Sequence, residues 1–231
     1  MKLLIRADAS VQMGTGHIMR CLALAQAVHQ RGGTITFAIA TCPPNLQERL
    51  QAEGFHIYPI DAKPGSPSDA EATIAQAQHL GCNWICVDGY QFGSDYSPLL
   101  QTAGFPVLFL DDYGHASPYH AAIVLNQNLS AQEEWYAQRD RQTKLLLGTD
   151  YTLLRQEFWA WQGWQRSIPD IAHKILITLG GSDPDNVTAR VLDALQAVQN
   201  PHLELLVVVG GSNPHLKSLQ RCADRSIHTV K

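Results

Sequence analysis

The chain has 231 residues, 45% of them hydrophobic and 16% charged, which is enough to bury one large core or two modest ones. The formal net charge of −4 gives no reason to expect a nucleic-acid backbone or an anionic membrane as a partner. The five cysteines include no C-x-x-C pair of the kind found in zinc and redox sites. No apolar run approaches the roughly 20 residues of a membrane span, and the N-terminal apolar stretch is too short for a signal peptide. These features predict a reduced, cytoplasmic protein without a nucleic-acid or membrane partner.

Short apolar runs alternate with helical patterns from the first residues onward. We predict strands at residues 3–7, 34–40, 55–60, 84–87, 107–110, 123–125 and 145–147. Helices are predicted between the first four of them, at residues 18–28, 43–54 and 70–80. The same rhythm returns later, with strands at 174–179 and 203–209, a helix at 187–198 and a possible strand at 226–230. This alternation predicts parallel sheets that are covered by helices on both faces.

Two α/β domains are therefore predicted, at residues 1–158 and 170–231. The second offers only two complete strand–helix units, so we expect it either to be truncated or to borrow contacts from the first. Residues 155–169, between them, contain Trp159, Trp161 and Trp164. A linker whose aromatic patch packs between the domains and a plain core helix are equally good interpretations of this segment.

Polar clusters follow several of the predicted strands. They lie at residues 8–17, 88–90, 111–115, 180–183 and 210–213. In parallel α/β sheets, ligands bind beyond the carboxyl ends of the strands, so these clusters are the candidate site. Solvated strand ends would explain a lone aspartate, but they explain a histidine at residue 17 less well.

His17 lies in the first turn of a predicted helix, directly after Gly16. The positive end of the helix dipole disfavours an imidazolium there, and a neutral imidazole can take a proton from water. Arg20 follows three residues later on the same side of the helix and could hold a phosphate or a carboxylate. A histidine that merely caps the loop by hydrogen bonding is an equally good interpretation of the local sequence.

Two glycine-rich turns could approach a phosphate. The first, Gly14-Thr15-Gly16, lacks the third glycine of a dinucleotide fingerprint, and no acidic residue closes the second strand, so NAD binding is disfavoured. The second, Gly180-Gly181-Ser182, lies between a strand and a helix, where backbone N–H groups and the helix dipole favour an anion. Asp183 is predicted to cap that helix. A plain strand-to-helix turn would use the same residues.

Asp88, Asp111 and Asp112 are candidate metal ligands only in principle. The sequence has no D-x-D motif, and neighbouring aspartates do not usually point at one ion. We expect these carboxylates to orient His17, bind sugar hydroxyls or cap helices. A Ser-His-Asp hydrolase is also disfavoured, because there is no G-x-S-x-G motif.

The motifs in this order resemble a known family. Arg6-Ala7-Asp8, followed by MGTGHIMRCLALA at residues 13–25, resembles the opening of the UDP-sugar hydrolases of the pseudaminic acid pathway. Further matches are VDGY at 87–90, DD at 111–112, LNQN at 125–128, LG at 147–148, YTLLRQEF at 151–158 and TLGGSDPDN at 178–186. The first motif is specific and the others are moderately so, and together they span most of the chain.

The resemblance implies a fold like that of the MurG glycosyltransferase, a GT-B-type pair of Rossmann-like domains that face each other across a cleft. It implies release of UDP from a UDP-diacetamido-trideoxyhexose at the anomeric C–O bond, without a metal or other cofactor and with His17 as the base. The implied substrate-binding residues are Gly16, Arg20, Asp88, Tyr90, Arg155, Gly181, Ser182 and Asp183. The family's C-terminal domain normally runs through several more strand–helix units, which puts UDP affinity in question. We expect a monomer.

Two other functions stay open from the sequence. A glycosyltransferase of the same fold, related to spore-coat or surface polysaccharide synthesis, would need an acceptor pocket where the hydrolase admits water. A non-catalytic protein would bind the nucleotide sugar without turnover. Release of free sugar in the absence of an acceptor separates the hydrolase from both.

Overall fold

The computed structural model describes residues 1–10, 12–200, 202–211 and 213–231. The chain divides into two compact units. The first comprises Met1–Ser10 and Gly16–Gln162, and the second comprises Gly163–Lys231 together with the segment Val11–Thr15. Each contains a parallel sheet with helices, which confirms the predicted α/β fold class of two Rossmann-like domains. The cleft between them stays a prediction.

The first unit is built on a seven-stranded parallel sheet with the order β3-β2-β1-β4-β5-β6-β7. Its strands are β1 (Lys2–Ala7), β2 (Thr34–Ile39), β3 (His56–Pro59), β4 (Trp84–Asp88), β5 (Val107–Leu110), β6 (Ile123–Asn126) and β7 (Lys144–Leu147). The helices are α1 (Gly16–Gln30), α2 (Pro44–Ala52), α3 (Pro67–Leu80) and α4 (Tyr96–Thr102). Short 3₁₀ helices cover Glu133–Tyr136, Thr149–Tyr151 and Gln156–Trp161.

The central strands of this sheet are apolar on both faces, as buried parallel strands are. Five consecutive residues of β1 are buried, and alternate ones join different cores. Leu4 belongs to the core that contains the buried residues of α3 and α4, whereas Leu3 and Ile5 belong to the core that contains those of α1 and α2. Helices therefore cover both faces, and polar chemistry in this unit is confined to the strand ends and loops.

An ion-pair network whose three charged side chains have no exposed surface lies at the first of these cores. Arg6 in β1 donates Nε and Nη2 to the two carboxylate oxygens of Asp69 in α3, at 2.8 and 2.9 Å. Its Nη1 lies 2.9 Å from Oδ1 of Asp8, and both pairs are fully buried. Asp8 also accepts a hydrogen bond of 3.0 Å from Nε2 of Gln91. The network therefore ties β1, α3 and the loop that follows β4 to one another.

The second unit has a three-stranded parallel sheet with the order β10-β9-β8. Its strands are β8 (Lys174–Thr178), β9 (Glu204–Val208) and β10 (Thr229–Val230), and its helices are α5 (Val187–Leu195) and α6 (Leu216–Asp224). The core consists of a few large residues, Ile177, Leu192, Leu203, Leu205 and Leu219. The strand predicted at 226–230 is present as the two residues of β10.

Two turns of the second unit approach each other closely at their backbones. A Cβ placed on Gly210, after β9, would lie 2.2 Å from the carbonyl oxygen of Gly181, after β8. The neighbouring Gly211 has open space at the same position. The approach of the two turns therefore requires a residue without a side chain at position 210 but not at 211.

We predict that Gly210→Ala destabilises the second unit, because backbone must move to accept the methyl group. Overpacking of this kind costs about 1–3 kcal/mol in the free energy of unfolding. Thermal and urea unfolding of Gly210→Ala and Gly211→Ala measure the difference, with Gly211→Ala as the matched control. Equal stabilities for the two variants would contradict the prediction, because a methyl group at position 210 would then cost no more than one at position 211.

The tryptophan-rich segment is not a core helix. The 3₁₀ helix Gln156–Trp161 is followed by irregular chain, and the side chains of Trp161 and Trp164 are 59% and 60% exposed in the single chain. The core-helix interpretation is therefore wrong. Packing of the tryptophans between the two domains stays a prediction. Within the described residues, no helix has the length and apolar character needed to cross a membrane.

Candidate active site at the carboxyl edge of the first sheet

The candidate site lies where the strand order of the first sheet reverses. From β1 the chain builds β2 and β3 on one side, and β4 to β7 follow on the other. The loops after β1 and β4 therefore leave the sheet in opposite directions, which opens a crevice in folds of this type. Ala7 and Asp88, at the ends of β1 and β4, are paired in the ladder. His17 is the second residue of α1, the helix that follows β1.

His17 forms a histidine–aspartate pair with Asp88. Its Nδ1 lies 2.7 Å from Oδ1 of Asp88, whose side chain is fully buried, while His17 keeps 8% of its side-chain surface exposed. Next to a carboxylate, Nδ1 carries the ring proton and donates it, so that Nε2 of the neutral ring is the acceptor. The pair therefore fixes both the orientation and the tautomer of the imidazole.

Arg20 is held by two carboxylates. Its Nε and Nη2 each donate to Asp88 at 2.6 Å, one to each oxygen, and its Nη1 donates to Oδ1 of Asp112 at 2.6 Å. Although burial disfavours its charge, the hydrogen bonds that Arg20 donates to Asp88 and Asp112 raise its pKa above the usual range. Burial likewise works against the Asp112 carboxylate, but the bond from Arg20 lowers its pKa. The side chains are therefore a charged, mutually satisfied cluster.

Tyr90 completes the cluster from the loop after β4. Its hydroxyl donates to Oδ2 of Asp112 at 2.8 Å, and its ring meets the His17 ring edge-on at 4.8 Å between centroids. Burial, followed by the bond to Asp112, raises the pKa of Tyr90 to about 12, so the phenol stays protonated at neutral pH. Half of the Tyr90 surface is exposed. It therefore forms an accessible wall beside His17.

A second histidine–aspartate pair lies on the other side of Tyr90. The Nδ1 of His115 is 2.7 Å from Oδ1 of Asp111, and its ring meets Tyr90 edge-on at 5.5 Å. Asp111 also accepts from the backbone N–H groups of residues 112–114 and from the hydroxyl of Tyr119. Burial alone would raise the pKa of the Asp111 carboxyl. The hydrogen bonds that it accepts, of which the one from His115 has the largest effect, instead lower its pKa well below the usual range.

We predict that Asp111 stabilises the fold at neutral pH and loses that contribution in acid. Because its folded-state pKa is lowered, the stabilisation is present above the unfolded-state value of about 3.9 and disappears as the pH falls through the folded-state value. Urea unfolding of the native chain and Asp111→Asn between pH 7 and pH 3 measures this. The stability gap between the two should be largest at pH 7 and shrink toward pH 3. A gap that stays constant would contradict the prediction.

No family model matches this chain. A protein of Methanocaldococcus jannaschii without an assigned function is 25% identical over 199 residues, which are 84% of this chain and 40% of that protein. The UDP-2,4-diacetamido-2,4,6-trideoxy-β-L-altropyranose hydrolase of Campylobacter jejuni is 26% identical over 226 residues, 96% of this chain and 74% of the hydrolase. The spore coat polysaccharide biosynthesis protein SpsG of Bacillus subtilis is 23% identical, covering 94% of this chain and 62% of SpsG.

Solved structures give the same fold. MurG of Acinetobacter baumannii superposes with a TM-score of 0.61 at 16% identity, over 100% of this chain and 66% of MurG. HepE of Anabaena, solved with UDP-glucose, also gives a TM-score of 0.61, at 13% identity over 100% of this chain and 68% of HepE. The resemblance to the hydrolase and the GT-B-type fold are thereby confirmed. This chain spans about 40% to three quarters of the length of the curated relatives that it matches.

The structure brings four of the predicted site residues together in the first unit, namely His17, Arg20, Asp88 and Tyr90. Gly16 begins α1 beside them. Arg155 instead bonds Glu157 at 3.1 Å and lies over the ring of Phe158. Among the described residues no hydrogen bond joins Arg155 to the four. The roles of all six stay predictions.

The other predicted residues lie in the second unit, where Asp183 caps α5. Its carboxylate accepts from the backbone N–H groups of Val187 and Thr188 at 2.8 and 3.0 Å and from the Thr188 hydroxyl at 2.7 Å. Burial alone would raise the pKa of Asp183. The hydrogen bonds that it accepts, those from Thr188 most of all, lower it instead. Two N–H groups at the start of α5 are thus already engaged. Contact of Gly181, Ser182 or Asp183 with a diphosphate stays a prediction.

Asp112 was predicted only as one of three strand-end carboxylates that orient His17, bind sugar hydroxyls or cap helices, and not as a named substrate-binding residue. It bonds Arg20, Tyr90 and Nδ2 of Asn128, the last at 3.0 Å. The signal was available, because Asp112 follows β5 directly and β5 pairs with β4. Which of two adjacent aspartates turns toward the site could not be predicted from the sequence. In the part of the chain that the structure describes, no group of three His, Cys, Asp or Glu side chains is arranged to hold a metal ion.

Proposed function

We propose that this chain carries the catalytic half of a nucleotide-sugar hydrolase that releases UDP from a UDP-diacetamido-trideoxyhexose. The observation that carries the proposal is the His17–Asp88 pair, with 2.7 Å between Nδ1 and Oδ1, at the reversal point of the sheet. The similarity to the Campylobacter hydrolase supports the reaction and the substrate class.

In the proposed reaction, Nε2 of His17 accepts a proton from a water molecule that attacks the anomeric carbon. The C–O bond to the diphosphate breaks, and UDP leaves with the bonding electrons. Asp88 holds the ring so that Nε2 is the basic nitrogen. General-base assistance of this kind contributes about 10²–10⁴-fold in rate.

The turns of the second unit are the proposed place for UDP. Gly181 and Ser182 follow β8, and their backbone N–H groups can donate to phosphate oxygens. Donors fixed where negative charge develops stabilise the leaving group without a cation. The proposed division of labour therefore places proton transfer in the first unit and nucleotide binding in the second.

A glycosyltransferase is the second candidate. The fold is that of MurG and of HepE, and the latter was solved with a nucleotide sugar bound. In a transferase His17 would deprotonate an acceptor hydroxyl instead of water. The chemistry at Nε2 would be the same, so only the identity of the nucleophile distinguishes the two reactions.

The test is incubation of the protein with UDP-2,4-diacetamido-2,4,6-trideoxy-β-L-altropyranose in ¹⁸O-labelled water, without an added acceptor. We expect UDP and free sugar, with the label in the sugar, because the bond to the anomeric carbon breaks. Label in UDP would mean attack at phosphorus and would exclude the proposed role of water at carbon. UDP release only after addition of a sugar acceptor would favour the transferase. Saturable binding without turnover would leave a nucleotide-sugar-binding protein.

We predict that turnover survives chelation. The mechanism uses His17 for the proton and backbone donors for the diphosphate, so it requires no cation. Rates measured with and without EDTA should agree. Loss of turnover in EDTA that Mg²⁺ or Mn²⁺ restores would contradict the metal-free mechanism.

A further inference from the structure

We propose that Arg20 is a positioning residue that neutralises Asp88 and so keeps His17 uncharged, instead of being a ligand for the substrate's phosphates. The inference rests on the proposed role of His17 as a base. Without a counter-ion, the carboxylate that orients the imidazole would also favour its protonation.

Each guanidinium nitrogen of Arg20 already donates to a carboxylate. The three N–H groups involved bond carboxylate oxygens at 2.6 Å, two of them in a bidentate pair with Asp88. Only 11% of the side chain is exposed, which leaves the two other N–H groups little access to a ligand. A phosphate that took over the bonded N–H groups would displace Asp88 or Asp112, and each displaced carboxylate would lose a charge-assisted bond. The geometry therefore favours an internal role.

Asp88 acting alone would work against a base. A carboxylate at hydrogen-bond distance from Nδ1 favours the imidazolium, and a doubly protonated ring cannot accept a proton from water. Arg20 takes up both oxygens of the same carboxylate, and its Nη2 lies 3.3 Å from Nδ1 of His17. Two donors at that distance do not bond to each other, so the guanidinium charge opposes a second proton on the ring.

The groups that face the pair come from three elements. Asp88 ends β4, with Tyr90 in the loop after it, Arg20 and Cys21 belong to α1, and Asp112 follows β5. Burial raises the pKa of Cys21, whose thiol contacts Asp88, well above the usual range, so the thiol is uncharged, as is the phenol of Tyr90. The fixed charges are therefore two carboxylates and one guanidinium. Removal of Arg20 would leave His17 beside two uncompensated negative charges.

The decisive measurement is the titration of His17 in the free protein, followed by ¹H–¹⁵N correlation of the imidazole nitrogens. The His17 signals are assigned by their loss in His17→Gln. In Arg20→Gln we expect the midpoint to move up by about one pH unit or more, a tenfold or larger change in proton affinity. Arg20→Lys keeps the charge, so the midpoint of His17 in this variant should lie close to its value in the native protein. The matched control is Arg49→Gln, which removes an exposed arginine paired with Glu53 and Glu157 and should leave the midpoint unchanged.

A second variant keeps the inference testable if Arg20→Gln does not fold. Asp112→Asn removes a negative charge from the same cluster, so the midpoint should move down. An upward shift in Asp112→Asn, or an unchanged midpoint in folded Arg20→Gln, would overturn the inference.

UDP binding to the same variants, measured by calorimetry, separates the two roles of Arg20. A positioning residue leaves UDP affinity within about twofold, whereas a phosphate ligand lowers it tenfold or more upon substitution. Weakened UDP binding with an unmoved midpoint would overturn the inference. These measurements need no turnover. If the shifts appear but no UDP-sugar is hydrolysed, the proposed function fails while the electrostatic role of Arg20 stands.

Discussion

His17→Ala is expected to lower kcat for UDP release by about 10²–10⁴-fold, the contribution of a positioned proton acceptor. KM should change little, because the proposed nucleotide contacts belong to the second unit. The fold should persist, since His17 bonds at a strand end and does not fill the apolar cores. Steady-state kinetics, UDP binding and thermal unfolding of the purified variant measure the three quantities.

His29→Ala is the matched control, because His29 is exposed near the end of the same helix and should leave kcat unchanged. Each of the other roles of His17 has its own signature. A binding histidine would raise KM at constant kcat, and a capping histidine would chiefly lower the melting temperature. Near-normal kcat in a folded His17→Ala would rule out His17 as the base.

Arg6→Met is expected to reduce the free energy of unfolding by about 3–5 kcal/mol, the usual cost of leaving a buried ionic partner unpaired. Asp8 and Asp69, both without exposed side-chain surface, would lose their counter-ion. Although burial opposes the charge of Arg6, its bonds to Asp69 and Asp8 hold its pKa above the usual range. Urea unfolding at neutral pH measures the loss.

Arg49→Met provides the comparison. Arg49 also pairs with two carboxylates, Glu53 and Glu157, but its side chain is 41% exposed, and exposed pairs contribute about 0–1 kcal/mol. The two variants remove the same type of side chain and differ mainly in burial. A loss below about 1 kcal/mol for Arg6→Met would mean that the buried network does not hold the first unit together.

Much of the fold follows from the sequence because the strands are apolar runs between turn signals. The predicted strand at 107–110 coincides with β5, and the one at 3–7 differs from β1 by one residue. The prediction lacked α4 and α6, which have only seven and nine residues. The seven residues of α4 carry too few repeats for the 3.6-residue period to stand out. In α6, Leu216, Leu219 and Cys222 recur at helical spacing, so this helix was predictable but was overlooked.

The site was predictable in its location but not in its connections. Parallel topology places the ends of β1, β4 and β5 at one edge, and this was enough to select His17 and Asp88. The bidentate bond that occupies Arg20 depends on the side-chain geometry of three separate segments. The burial of Arg6 was equally hidden, because a charged residue in an apolar strand reads as an exposed position until its partner from α3 is placed.

The bonds of the His17 cluster also determine when the site can exist. His17 and Asp88 are 71 residues apart in sequence, and Arg20 and Asp112 are 92 apart. Contacts between residues so far apart in sequence close long loops, and closing a loop lowers the conformational entropy of the intervening chain. No fragment shorter than residues 17–112 contains all four residues. Any partial opening that detaches β1, β4 or β5 separates the proposed base from its orienting carboxylate or from their proposed counter-ion. The proposed activity and the cooperative folding of this sheet should therefore be lost together.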